Sequence, residues 1–170
     1  MRGVVSSDPA LTDEALIARA RSSESMSGRN LATEVTPEEE GVFTEGLGAW
    51  GMPWRPEVEG TFRVLAIDCG AKRNIYRHLV DRGCEVRFLP LSVSPEAILE
   101  SGADGLFVSN GPGDPTKCAK TVAQLKLALQ RDTPIFGICL GNQLLALQSQ
   151  QLSDLIAVIS ANGRAGALSE

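Results

Sequence analysis

Gly137-Ile138-Cys139-Leu140-Gly141-Asn142-Gln143 (GICLGNQ, 137–143) sets a cysteine midway between two glycines, after an apolar run and before a helix-forming one. Gly-x-Cys-x-Gly at a strand-to-helix junction has the spacing of a nucleophile elbow. Such an abrupt turn lifts the central residue clear of the sheet, and the flanking glycines relieve the crowding. The helix opening at Gly141 aims the positive end of its dipole at the sulfur, a setting that activates cysteine nucleophiles. The Leu140 amide follows the nucleophile, where an oxyanion would develop. A core cysteine at a strand end is the commoner fate of a lone cysteine, but the paired glycines at this junction favour the nucleophile. A base is harder to find, because the chain holds one histidine, His78, far upstream.

Outward from the elbow, residues 61–150 alternate strand and helix. FRVLAID (62–68), CEVRFLPL (84–91), DGLFVSN (104–110) and PIFGICL (134–140) read as strands. AKRNIYRHLVDRG (71–83), SPEAILESG (94–102), KCAKTVAQLKLALQRD (117–132) and GNQLLALQSQQ (141–151) read as helices. Ser94 caps the second of these, with Pro95 in its first turn, and glycines stop the first two. Short loops between such elements predict an α/β fold with right-handed crossovers and a parallel sheet covered on both faces. Ligands bind such sheets beyond the carboxyl ends of the strands, here the loops after Asp68, Val108 and Ile138.

Two of those loops are unusual. Ser109-Asn110-Gly111-Pro112-Gly113-Asp114-Pro115 is a stiff turn that lets main-chain N–H groups approach a ligand, suited to a carboxylate or a developing oxyanion. Read alone, it suits a tight turn with no ligand equally well. Asp68-Cys69-Gly70-Ala71-Lys72-Arg73-Asn74 carries two basic residues at the same edge, and reads either as a solvated helix start or as a brace for the other loops. Cys69, Cys84 and Cys118 read as packing residues. His78 lies inside the first helix, carried away from the edge at about 1.5 Å per residue, and reads as a surface or half-buried residue.

The first 60 residues have a different texture. LTDEALIARARSS (11–23) predicts a helix capped by Thr12, with Asp13 and Glu14 in its first turn and Leu11 and Leu16 at staple positions. TPEEEGVFTEGLGAWGMPWRPEVEG (36–60) reads as a connecting segment lying against a neighbouring surface, with Trp50 and Trp54 in irregular surface chain. The whole chain is 170 residues, 43% hydrophobic and mildly acidic at a formal charge of -5, as expected of a soluble protein of one domain or slightly more. That charge gives no electrostatic reason to expect a nucleic acid or membrane partner. No apolar run reaches the roughly 18 to 20 residues of a membrane helix, and the start is unlike a signal peptide, so a cytoplasmic location is expected. Four cysteines without a Cys-x-x-Cys pair, beside one histidine, offer no zinc-type metal set and no disulfide framework.

GICLGNQLLAL (137–147) resembles the nucleophile elbow of class I glutamine amidotransferases, and VSNGPGDP (108–115) resembles their oxyanion loop. VLAIDCGAKRNIYRHLVDRGCEV (64–86) is similar to the small, glutamine-hydrolysing subunits of carbamoyl-phosphate synthases in particular. The likeness runs from about residue 1 to 148. It implies a partial, flavodoxin-like parallel-sheet amidotransferase domain over 61–150, preceded by the end of a smaller N-terminal domain (1–40) and a linker (41–60), with an atypical tail at 151–170. By the same resemblance, Cys139 attacks the side-chain amide of L-glutamine to form a γ-glutamyl thioester and release ammonia. Gly111 and Leu140 supply the oxyanion amides, and these two with Gly113 and Gln143 hold the glutamine. The implied partner is a large synthetase subunit that receives the ammonia and uses ATP and Mg to make carbamoyl phosphate for pyrimidine and arginine synthesis. No cofactor is implied in the small subunit itself.

Three features depart from that pattern. Asn142 stands where the family usually has histidine. The family's catalytic histidine and glutamate, a His-x-Glu pair further along, have no counterpart in the 31 residues after Cys139. The tail differs from the family, though Leu152, Leu155, Ile156 and Ile159 could prolong the helix. These features suggest a fragment or frameshifted frame with an incomplete triad and little turnover alone. The other readings are a non-catalytic interaction module and a different class I amidotransferase.

Overall fold

The computed structural model describes residues 2–51, 61–129 and 133–147. The segment around Trp54 and the tail at 151–170 lie outside them. Strands β1 (Gly41–Phe43), β2 (Phe62–Asp68), β3 (Cys84–Pro90), β4 (Gly105–Val108) and β5 (Ile135–Gly137) form one sheet in the order β1-β3-β2-β4-β5. β2 pairs in parallel with β3 and β4, β4 pairs in parallel with β5, and β1 is antiparallel to β3. The helices are α1 (Asp13–Ser22), α2 (Ala32–Val35), α3 (Arg73–Val80), α4 (Pro95–Glu100) and α5 (Ala119–Ala128), with residues 140–147 helical as α6.

Period-two alternation along the strands builds two cores. Leu65 and Ile67 of β2, Leu89 of β3, and Leu106 and Val108 of β4 face α4, α5 and α6, whose Ile98, Val122, Leu125 and Leu144 complete that layer. Ala66, Phe107, Val86 and Phe43 face the other way and pack around Tyr76 of α3. Tyr76 is the hub there, with ring centroids 5.4 Å from Phe43, 6.4 Å from Phe88 and 6.2 Å from Phe107. Leu65 and Ile67 are almost fully buried, each contributing roughly 1.5–3 kcal/mol, so the strand ending at Asp68 is a fixed base for the loop beyond it. Among the described residues β5 is an edge strand, and its Phe136 is 64% exposed while stacking on Phe107 at 6.1 Å.

The predicted caps are present. Thr12 Oγ1 accepts from the Ala15 N–H at 3.3 Å, and Ser94 Oγ from the Ala97 N–H at 3.2 Å. Other expectations need correction. The segment expected as a linker, 41–60, supplies β1, because the alternation of Gly41-Val42-Phe43 lays Phe43 into the α3-side core. The end of the segment assigned to a separate N-terminal domain, 1–40, packs onto the α/β body. Ala32 is fully buried in the main core, and the Thr36 hydroxyl donates to the Asp68 carbonyl at 2.7 Å and accepts from the Leu91 N–H at 3.0 Å. The helix expected from 117 starts at Ala119, because Asp114 first caps a tight 3-10 turn, accepting from the Thr116 N–H at 3.0 Å.

Candidate active site at the carboxyl edge of the sheet

Three loops meet at the carboxyl ends of β2, β4 and β5. The last holds the elbow. Cys139 has φ 53°, the only non-glycine residue with positive φ among the described residues, and it is exposed. A left-handed residue of this kind costs on the order of 1–3 kcal/mol and persists only where its surroundings over-determine it. Those surroundings are hydrogen bonds to the end of β4. The Ile138 N–H donates to the Val108 carbonyl at 3.1 Å, and the Gly141 N–H to Ser109 O at 3.1 Å and Ile138 O at 2.9 Å. The Gln143 N–H then donates to Cys139 O at 3.1 Å, closing the first turn of α6.

The packing requires both flanking glycines. A Cβ on Gly137 would stand 2.7 Å from the Asn142 nitrogen, and one on Gly141 would stand 2.7 Å from the Val108 carbonyl carbon and collide with its oxygen. The elbow helix lies directly against the main chain of β4, where no side chain fits.

The loop after β4 is built as tightly. A Cβ on Gly111 would collide with the Cys69 carbonyl oxygen, and Gly113, at φ 105°, passes so close to the N-terminal segment that a Cβ would sit 2.8 Å from Leu31 N. That segment holds the far end of the loop, with the Asp114 N–H donating to Arg29 O at 2.9 Å and the Gly28 N–H to Asp114 Oδ2 at 2.8 Å. The Thr116 hydroxyl, followed by the Gly28 and Thr116 amides, holds the Asp114 carboxyl below the usual carboxylate range.

The loop after β2 is tied to this one. The Cys69 N–H donates to Ser109 Oγ at 2.8 Å, the Lys72 N–H to Asn110 Oδ1 at 3.0 Å, and Asn110 Nδ2 to Gly70 O at 3.3 Å. Asp68 folds the loop from beneath: Oδ1 accepts from the Gly70 and Ala71 N–H groups at 2.8 Å each, and Oδ2 from the Tyr76 hydroxyl at 2.9 Å. Of the two readings of 68–74 left open by the sequence, these bonds favour the brace.

The amides of Gly111 and Leu140 donate to no group among the described residues. Gln143 and Asn142 are exposed in the first turn of α6. The other thiols differ from Cys139 in burial. Burial, and then the neighbouring Cys118 and Asp68, push the Cys69 thiol up to about 12, and burial also raises Cys118 and Cys84. His78 is exposed in the last turn of α3, its Nδ1 3.2 Å from Arg82 Nη1, and does not belong to the three loops. Among the described residues, no group of three or more His, Cys, Asp and Glu is placed to hold a metal ion.

The sequence reading gave no role to Ser109, Asn110 or Asp68. Their signal was chemical type: Ser, Asn and Asp just beyond a strand bond readily to nearby main chain. The contribution of Gly28, Arg29 and Leu31 had no such signal, since their contacts with the loop run through the segment's own main-chain atoms.

A strand–turn–helix junction presenting an exposed cysteine at the carboxyl edge of a mostly parallel sheet defines an α/β protein of the nucleophile-elbow class. Comparison with known proteins narrows the class. Residues 65–162 match the family described as Glutamine amidotransferase class-I, and the chain belongs to that family. The match extends into the tail expected to depart from it.

The chain is 46% identical over 136 residues to the carbamoyl phosphate synthase small chain of Escherichia coli (strain K12), covering 77% of this chain and 35% of that one. It is 45% identical over 143 residues to that of Vibrio parahaemolyticus, covering 81% and 37%. It therefore spans about a third of the length of these curated relatives. The crystal structure of a GMP synthase component from Thermoplasma acidophilum aligns with a TM-score of 0.46 and 22% identity, over 54% of this chain and 46% of that one.

Proposed function

We propose that this chain carries the glutamine-hydrolysing half-site of a carbamoyl phosphate synthase small subunit. The observation that carries the reading is the elbow: Cys139 is exposed on a left-handed turn, next to the Leu140 amide and with the Gly111 amide on the adjoining loop, neither of which donates to a group among the described residues. In this reading the Cys139 thiolate adds to the carboxamide carbon of L-glutamine. The carbonyl oxygen takes the negative charge and is held by the two amides. The nitrogen leaves as ammonia once protonated, the C–N bond breaking to give the γ-glutamyl thioester, which water then cleaves. Gly113, in the loop after β4, and Gln143, exposed in the first turn of α6, would help hold the glutamine.

Such a step needs a group that takes the thiol proton and returns it to the departing nitrogen. The one histidine of the sequence is engaged with Arg82 at the far end of α3. We infer that this chain alone turns over glutamine at a near-zero rate, since losing the base of such a triad costs several orders of magnitude. The large synthetase chain is the proposed partner and receiver of ammonia, using ATP and Mg, with no cofactor in this chain and a cytoplasmic location.

Ammonia release from L-glutamine, measured with and without a carbamoyl phosphate synthase large chain, tests the reading. Binding to the large chain with negligible turnover is expected. Ammonia release at an ordinary amidotransferase rate by the chain alone, abolished in Cys139→Ser, contradicts the inactivity. Failure to bind the large chain contradicts the partner.

A further inference from the structure

Each amide proposed for the oxyanion is one half of a peptide unit, and what holds the other half sets where the N–H points. The peptide is planar and, as throughout the described chain, trans, so its C=O and N–H point in opposite directions. For Leu140 the other half is the Cys139 carbonyl, held by the Gln143 N–H at 3.1 Å as part of the helix. For Gly111 it is the Asn110 carbonyl. No helix holds that peptide, and it is flanked by a glycine whose φ is intrinsically permissive. Its partner is a side chain: the Ser109 hydroxyl donates to Asn110 O at 2.8 Å.

Ser109 is itself fully constrained. It is 0% exposed, its Oγ accepts from the Cys69 N–H at 2.8 Å, its N–H donates to Ile67 O at 3.1 Å, and its carbonyl accepts the Gly141 N–H at 3.1 Å. With Oγ accepting the hydrogen bond from the Cys69 N–H, its own hydrogen is directed to Asn110 O. The result is a directed chain from the Cys69 amide through the Ser109 hydroxyl to the Asn110–Gly111 peptide. Hydrogen bonds in such a chain polarise one another, so the Gly111 N–H becomes a stronger donor as well as an oriented one. The Ser109 carbonyl meanwhile holds the elbow, so one residue fixes the position of both oxyanion amides.

We propose that Ser109 is the positioning residue of the oxyanion site, with its hydroxyl locking the Asn110–Gly111 peptide so that the Gly111 N–H faces the reacting carbonyl. This rests on the glutamine-hydrolysing reading and makes a separate claim. Ser109 touches no substrate, so it acts on the charge-developing step and not on glutamine binding.

The test uses the full chain and the chloromethyl ketone analogue of L-glutamine. Its ketone oxygen takes the oxyanion position while Cys139 sulfur displaces chloride, the C–S bond forming as the C–Cl bond breaks. Labelling of Cys139 is followed by peptide mapping. Methyl methanethiosulfonate, which has no carbonyl, reports thiol exposure and ionisation without an oxyanion.

The expectation for Ser109→Ala is a limiting labelling rate lower by about tenfold or more, an unchanged half-saturating concentration and an unchanged methanethiosulfonate rate. Ser109→Cys keeps the shape with a much weaker donor, and should fall in the same direction if the alanine variant does not fold. A wild-type limiting rate in a folded variant of either kind overturns the role of Ser109, as does a loss confined to half-saturation. If the unmodified chain shows no saturation and no preference for the L over the D analogue, the glutamine reading itself fails, whatever Ser109 does.

Discussion

The Gly141 N–H donates to the Ser109 carbonyl oxygen at 3.1 Å, so the helix behind Cys139 hangs from the strand end that also begins the glycine-rich loop. The contact is possible because Gly141 has no side chain: a Cβ there would run into the Val108 carbonyl, which is main chain and cannot rotate away. Gly141→Ala should therefore destabilise by about 1–3 kcal/mol, as overpacking does. A thermal melt should show a fall of roughly 3–10 °C, with slower labelling of Cys139. A melting temperature within a degree of the unmodified chain would show that the elbow packs less tightly than described.

The four thiols should separate by accessibility. Cys139 is exposed, whereas Cys69 and Cys118 are buried. A thiol reagent at neutral pH should modify Cys139 first and reach Cys69 and Cys118 only on unfolding, as peptide mapping would record.

Burial of Cys69 also implies a pH dependence. Its thiol is raised from an ordinary 9.0 to about 12 in the fold, so the folded state keeps a proton that the unfolded chain releases. A group raised in this way contributes stability that is fully present below about 9 and is lost as pH climbs toward about 12. Tyr76, raised by burial and by Asp68, acts with the same sign above its ordinary 10.0. Denaturant midpoints should fall between pH 8.5 and 10.5, as probe conditions spanning roughly the start of that window, and Cys69→Ala should flatten the decline. A midpoint independent of pH there would contradict the burial.

Asp68 and Tyr76 form a buried pair at 2.9 Å beneath the first loop. Tyr76→Phe should cost about 1–2 kcal/mol, and Asp68→Asn as much or more because its acceptors also hold the Gly70 and Ala71 amides. A double-mutant cycle by denaturant titration should give a coupling of about 0.5 kcal/mol or more. Strict additivity would mean the hydroxyl contributes nothing through Asp68.

Much of this architecture was legible because it follows from periodicity and punctuation. FRVLAID became β2 at its predicted bounds, Thr12 and Ser94 cap their helices, and Gly137 and Gly141 bracket a turn that needs them. What was not legible depends on partners distant in sequence. Three residues of a Gly- and Glu-rich stretch become β1 only because β3 offers a free edge. The segment 28–36 joins the body through scattered bonds from the Gly28 amide, the Asn30 amide group and the Thr36 hydroxyl and through one buried alanine, too weak a pattern to see along the chain. Ser109 and Asn110 stood in plain view within VSNGPGDP, but their bonds to Cys69, Gly70 and Lys72 require the two strand ends to be side by side.

The central claim is that Cys139 sits in a site shaped for glutamine. The most direct measurement is intact-mass and peptide analysis of the chain after treatment with the L-glutamine chloromethyl ketone, with and without excess L-glutamine. A single adduct on Cys139, slowed by L-glutamine and unaffected by D-glutamine, is the predicted result. Labelling of Cys139 that L-glutamine does not slow, or adducts spread over the other cysteines of the folded chain, would contradict it.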